Sequence, residues 1–252
     1  PYSLAVATAR TCYSSRVITS EEVHRDEKAR QRRDEIAESI YKAGHHTTIQ
    51  HATFQFILDK VSRQFIWSFL HSHPFYNSEQ VSQRYVHVSA ENFTIPPLEE
   101  KALEIYTETI RLQMKAYEKL IQILEPTVRA QYAKIFPNRD PELKKWKSAL
   151  QKRGQEVARY VLPIATHAHL YHTVSGITLH RYHKLCEQFD TPFEQKIVIH
   201  EMIEAVNEVD PMFFRHIEDS IPLDQTPEYE FFIANALSEN ISSRVDFIEE
   251  FD

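Results

Sequence analysis

Glycine is scarce in this sequence. Three glycines, Gly44, Gly154 and Gly176, stand in 252 residues, where ordinary usage of about 7% would give roughly 18. A phosphate-binding loop needs glycines at close, fixed spacing, because the backbone itself approaches the phosphates. The nearest two here are 22 residues apart, which excludes the P-loop and the dinucleotide fingerprint. Any nucleotide bound by this chain is gripped largely by side chains. Cysteine is nearly as rare. Cys12 and Cys186 lie far apart and support neither a disulfide framework nor a cysteine zinc site, so a cytoplasmic location is the default. No run of about 18 apolar residues offers a membrane span. Positive charge is in deficit, with a net charge of −7, which argues against a general nucleic-acid-binding field. The chain begins at Pro1 with no signal-like segment, and this start is compatible with a domain of a longer protein.

Hydrophobic residues make up 42% and charged residues 26%. That is a globular balance, and the length is enough to bury a sizeable core. One domain over residues 1–252 is expected, an α/β body with a helical excursion at about 98–160. Thr19 and Glu22 form a capping box that opens a helix running to Ala43, where Gly44 stops it. Residues 52–58 alternate, with Phe54, Phe56 and Leu58 on one face of a strand. Residues 62–70 are apolar at helical spacing. A loop at 71–80 and a short strand at 85–88 follow. A long helix from Leu98 is expected to end before Pro126. Asp140-Pro141 reads as a helix start, with Asp as cap and Pro at the first position, and that helix runs to about Val161. Residues 165–173 are strand-like and 179–189 helical. Thr191-Pro192-Phe193-Glu194 is a second capping box, opening a helix to Val209. The tail from Pro211 is acidic and aromatic without a period.

Fourteen histidines are many for this length. On a strand, residues i and i+2 share a face. His167 with His169, or His71 with His73, therefore present a possible imidazole pair for a metal such as zinc, although surface histidines are the commoner outcome. Ser82-Gln83-Arg84-Tyr85 lies where a loop meets a strand. Arg84 has the planar fork that suits phosphate, and Ser82 adds a hydroxyl. Arg159 sits in an otherwise apolar stretch, where an unpaired charge is costly to bury. Ser82, Arg84 and Arg159 are the candidate anion site, with structural ion pairs as the alternative. Cys186 follows His183 and Lys184, which would lower a thiol pKa, but its amphipathic helix favours a buried, inert thiol.

Several of these segments resemble one family, the flavin-dependent thymidylate synthases (thymidylate synthase complementing proteins). Gly44-His45-His46-Thr47-Thr48-Ile49-Gln50-His51 is similar to its Gly-His-x-Ser/Thr-x-x-Glu-His segment. Val61-Ser62-Arg63 and then Ser82-Gln83-Arg84-Tyr85 follow in order. Residues 158–163 resemble its Ala-Arg-x-Val-Leu-Pro segment, and residues 9–13 its N-terminal stretch. The resemblance implies a central, mainly antiparallel sheet flanked by long helices, in a homotetramer whose active sites are shared between subunits. It implies reductive methylation of dUMP to dTMP, with methylenetetrahydrofolate as carbon donor and NADPH reducing FAD. It places dUMP on Ser82, Arg84 and Arg159, with Cys186 aligned to an arginine that grips the uracil. It places FAD near His45, Thr47, His71, His73, Gln80 and Ser175. This family holds FAD without a glycine-rich loop, so scarce glycine is no obstacle.

The chain departs from that pattern at defined positions. The family's Arg-His-Arg triplet aligns with His71-Ser72-His73, so two permanent cations become titratable imidazoles, mostly uncharged at neutral pH. Two glutamates become Gln50 and Gln80. An asparagine and an arginine become Ser175 and Ile177. The nucleotide-phosphate contacts are retained, while the flavin grip and uracil activation are weakened. Two other readings stand beside the primary one. The chain is a degenerate nucleotide-binding or scaffold domain that assembles with an intact paralogous copy, or it is a histidine-ligated metal enzyme.

Overall fold

A computed structural model describes residues 1–73, 75–215, 223–225 and 229. Most of the tail from Pro211 lies outside the described residues. The elements in chain order are α1 (Tyr2–Thr11), α2 (Ser20–His24), α3 (Glu27–Lys42), β1 (Thr53–Ser62), α4 (Arg63–Ser72), β2 (Tyr76–Gln80), α5 (Glu100–Ile135), α6 (Lys144–Ala158), β3 (His167–Ser175), α7 (Gly176–Gln188) and α8 (Phe193–Val209). They group into two compact units. The first comprises Pro1–Phe54, Ser72–Tyr76 and Val174–Asp252, and the second Gln55–His71 and Asn77–Thr173.

The capping box at Thr19 and Glu22 is present, and the Glu22 carboxylate accepts from the Thr19 amide at 3.2 Å. The helix it opens is only five residues long. Asp26 is extended and accepts from the Ala29 amide at 2.8 Å, so it caps a second helix, α3. One expected helix is therefore two, because a second good cap lies inside it. Gly44, at φ +76°, closes α3 in the left-handed conformation that glycine adopts without strain. Helix α1 went unmarked in the sequence. It buries Tyr2, Ala5, Val6, Ala7 and Ala9, and Ala7 joins Ile18 and Val23 in a small core.

The three strands form an antiparallel sheet in the order β1-β3-β2. In β1, Phe54, Phe56 and Leu58 alternate with exposed Thr53, Gln55 and Ile57. Lys60, at φ +56°, interrupts that alternation, and Val61 and Ser62 are then both buried. In β3, Ala168, Leu170, His172 and Val174 face inward, while His169 and Tyr171 are exposed. The β2 strand lies inside the segment read as a loop. Its sequence, Tyr-Asn-Ser-Glu-Gln, carries no apolar alternation, because an edge strand is held by backbone pairing and needs no buried face of its own. The strand expected at 85–88 is instead a turn. The Ser82 carbonyl accepts from the amides of Tyr85 and Val86, both at 3.1 Å.

The long helix does not end at Pro126. Helix α5 runs through it to Ile135. Pro126 and Gln122, whose carbonyl loses its helical donor, are both exposed, so water can satisfy the freed oxygen. Helix α6 packs along α5, and together they bury Ile110, Met114, Tyr117 and Ala158 with Val88 and Ala165. Asp140 does not cap α6. Its carboxylate accepts from the Glu142 amide at 2.9 Å in a local turn, and α6 starts at Lys144. In α8, Pro192 takes the cap position itself, so the box drawn at Thr191 is absent.

Candidate functional site

The three residues read as an anion site all lie in the second unit. Ser82 opens the turn after β2, and its Oγ accepts from the Arg84 amide at 3.3 Å. This hydroxyl-to-backbone bond is the local device that turns the chain and projects Arg84. The Arg84 guanidinium forms an ion pair with Glu156 in the last turn of α6. The same carboxylate pairs with Arg153 at 2.6 Å. Those two bonds, the one from Arg153 first, hold the Glu156 carboxyl below the usual carboxylate range. Arg159 follows three residues on, and its Nε donates to the Glu156 backbone carbonyl at 3.2 Å. Helical spacing explains the grouping. Residues i and i+3 share a helix face, so Arg153, Glu156 and Arg159 stand in one row.

Arg63, at the start of α4, adds to this charge. It donates to the Gln80 side chain at 2.7 Å and to the Val81 carbonyl at 2.5 Å. Its Nε is buried and, among the described residues, has no hydrogen-bond partner. Burial, and then the neighbouring Arg159 charge, lower the pKa of Arg63, yet a guanidinium stays protonated in proteins. Of these four arginines, Arg84 and Arg153 ion-pair with Glu156, Arg159 bonds its backbone carbonyl, and Arg63 bonds the neutral Gln80. Four guanidinium groups thus stand near one carboxylate. Sequence reasoning missed Arg63, Arg153 and Glu156. The i, i+3 spacing in α6 was the available signal.

A cavity of about 620 Å³ opens beside the first turn of α4. Ile66, Trp67, Leu70 and Ile164 give it apolar walls, and Arg63, His71 and Gln80 give it polar ones. Trp67 is exposed and its ring lies 4.2 Å from that of His71. The His71 Nδ1 bonds the Trp67 carbonyl at 2.6 Å. The cavity volume falls within the range of ordinary ligand pockets. Two of the residues read as flavin contacts, His71 and Gln80, therefore line one cavity.

The other candidates lie in the first unit. His45 and Thr47 are exposed at the turn after Gly44. His73 faces Arg181, with the Nη1 of Arg181 3.2 Å from Nε2 of His73. Burial and that cation lower the His73 pKa, so the ring is neutral at pH 7 and Arg181 is the permanent charge at this spot. Ser175 caps α7, accepting from the Thr178 amide at 3.4 Å. Cys186 is a buried, free thiol, and burial pushes its pKa up. It offers neither a nucleophile nor a cation.

The histidine pairs do not gather into a metal centre. His71 ends a helix, and His73 lies beyond it, so the strand spacing assumed for them is absent. His167 bonds Asn92 at 3.0 Å, and His169 is exposed. Among the described residues, no group of three or more His, Cys, Asp or Glu is placed to hold a metal ion. Nor, among them, is any helix long and apolar enough to cross a membrane.

Residues 1–212 match the family model described as thymidylate synthase complementing protein. The chain belongs to that family. A flavin-dependent thymidylate synthase of Clostridium tetani is 26% identical over 233 residues, covering 90% of this chain and 86% of its own. One of Nitratidesulfovibrio vulgaris is 26% identical over 219 residues, covering 86% and 82%. Among solved structures, the UMP/dUMP methylase PolB of Streptomyces cacaoi, bound with 5-Br dUMP, superposes with a TM-score of 0.61 at 16% identity. That match covers 85% of this chain and 89% of PolB. For this member of the family, the likeness to PolB establishes the fold alone.

Proposed function

We propose that the chain binds dUMP in its second unit and acts in its flavin-dependent reductive methylation to dTMP. The observation that carries this reading is the grouping of Ser82, Arg84 and Arg159 around Glu156, with Arg63 as a further cation. Such a set suits a phosphate dianion. Arg84 and Arg159 bind it, and Ser82 positions the turn that carries Arg84. The relatives named flavin-dependent thymidylate synthase support the reaction class. The 5-Br dUMP held by PolB supports a uridylate as the nucleotide.

The cavity beside α4 fits the ring system of a flavin, since its walls are apolar and its polar groups few. Trp67, Ile164 and Leu70 would pack on the ring, and His71 and Gln80 would bond its edge. A flavin bound there supplies hydride chemistry. Of the polar walls only Arg63 carries a permanent charge, and its guanidinium already bonds Gln80 and the Val81 carbonyl, so flavin affinity rests on packing more than on ion pairing. Methylation at C5 also requires electron density drawn into the uracil, and the aligned residue, Cys186, brings no cation. Slow turnover on a retained nucleotide site is the consequence. The test is deuterium release from C5-labelled dUMP with FAD, NADPH and methylenetetrahydrofolate present. Slow but measurable release supports the reading. No release, with no binding of dUMP by calorimetry, refutes it.

A further inference from the structure

Glu156 is the one carboxylate paired with Arg84 among the described residues. Its two oxygens are divided between two guanidinium groups, Oε1 to Arg84 and Oε2 to Arg153. Its backbone carbonyl meanwhile holds Arg159. A carboxylate and a phosphate are matched by the same guanidinium fork, so the side chain occupies the place that an anionic ligand needs. It is also able to leave. The Glu156 side chain is 22% exposed, and its second partner, Arg153, is 70% exposed.

We propose that Glu156 is an internal occupant of the anion site, holding Arg84 until a ligand phosphate displaces it. This inference rests on the reading that Arg84 and Arg159 receive the nucleotide phosphate. Displacement works in one direction. A phosphate brings up to two charges and three acceptor oxygens, and it engages Arg84 and Arg159 together. The carboxylate brings one charge and swings with Arg153 toward water. A weak anion fails to compete, so the carboxylate also screens the site against ordinary cellular carboxylates. Exposed ion pairs are worth little, so the effect on affinity is several-fold and not many decades.

The test compares the unmodified chain with Glu156→Gln and Glu156→Asp, titrated by calorimetry with inorganic phosphate, dUMP and deoxyuridine. Glu156→Gln removes the competing charge. It is expected to bind phosphate and dUMP about three- to tenfold tighter. Glu156→Asp keeps the charge but shortens the reach by one methylene, so it releases Arg84 and tightens dUMP at least twofold. Deoxyuridine, which has no phosphate, binds all three alike. Weaker dUMP binding by Glu156→Gln would mean that Glu156 orients Arg84 for the ligand, and would overturn the proposal. So would tightening by Glu156→Gln with no change in Glu156→Asp, which reports only a distant charge. Arg84→Ala separates the two levels. If it costs dUMP affinity while both Glu156 variants match the parent, the occupant idea fails and the anion site stands. If neither it nor Arg159→Ala costs affinity, the site itself is wrong.

Discussion

Replacing Arg84 by alanine removes one of two guanidinium groups proposed to meet a nucleotide phosphate. A hydrogen bond to a charged group is worth about 1.5–3 kcal/mol. Arg84 is not idle before the ligand arrives, because its ion pair with Glu156 must first break. That pair is partly exposed, at 44% and 22% for the two side chains, and such pairs are worth about 0.2–1 kcal/mol. The net loss in Arg84→Ala is therefore about 1–2 kcal/mol, roughly a 5- to 30-fold rise in the dUMP dissociation constant. Arg159→Ala is expected to cost a similar amount. Its guanidinium gives up only a bond to a backbone carbonyl. Calorimetry at fixed ionic strength is the assay, since salt screens such contacts. Titrating deoxyuridine in parallel isolates the phosphate, and neither mutation is expected to change its binding. Unchanged dUMP affinity in both mutants refutes the anion site.

Trp67 lines the proposed flavin cavity, so FAD titration is expected to quench tryptophan fluorescence. Trp67→Phe should abolish most of that quenching while keeping an aromatic wall. Equal quenching in the mutant would place the flavin elsewhere. His180 is 6% exposed, its Nε2 has no hydrogen-bond partner among the described residues, and its ring lies 5.6 Å from that of His46. Burial, helped by Lys184, His46, His183 and Arg181, holds its pKa at about 3. The unfolded chain takes up this proton near pH 6.5, and the folded one only near pH 3. The penalty is thus absent above pH 6.5 and grows by about 1.4 kcal/mol per pH unit as pH falls through that window. Thermal unfolding at pH 7 and pH 5 should show the loss, and His180→Gln should flatten it. An identical pH slope in the mutant contradicts the assignment. Gly176→Ala would place a Cβ against the Phe213 ring and 2.8 Å from the Ile49 carbonyl oxygen. A cost of about 1–3 kcal/mol follows, read as a lower melting temperature. A melting temperature equal to the parent's would show that the contact yields freely.

Where an element was set by its own residues, the sequence was readable. Glu22 closes its capping box by a local hydrogen bond, and β3 alternates because one face is buried. Elements set by their neighbours were not readable. The β2 edge strand carries no pattern of its own, and Pro126 is tolerated because the freed carbonyl meets water. The candidate site divides in the same way. Ser82, Arg84 and Arg159 stood out by type, as residues suited to phosphate. Glu156 and Arg153 were not singled out. Their role depends on a turn some 70 residues earlier that brings Arg84 to them. Trp67 lies in a segment read only as an apolar helix, and Ile164 was not singled out, yet both are exposed and line a cavity.

The measurement that bears most directly on the account is the affinity of the unmodified chain for dUMP relative to deoxyuridine, by calorimetry in one buffer. Two arginine contacts to the phosphate predict at least tenfold tighter binding of dUMP. The difference should shrink as salt is raised and vanish in the Arg84→Ala, Arg159→Ala double mutant. Equal affinities for the two compounds would contradict the central claim.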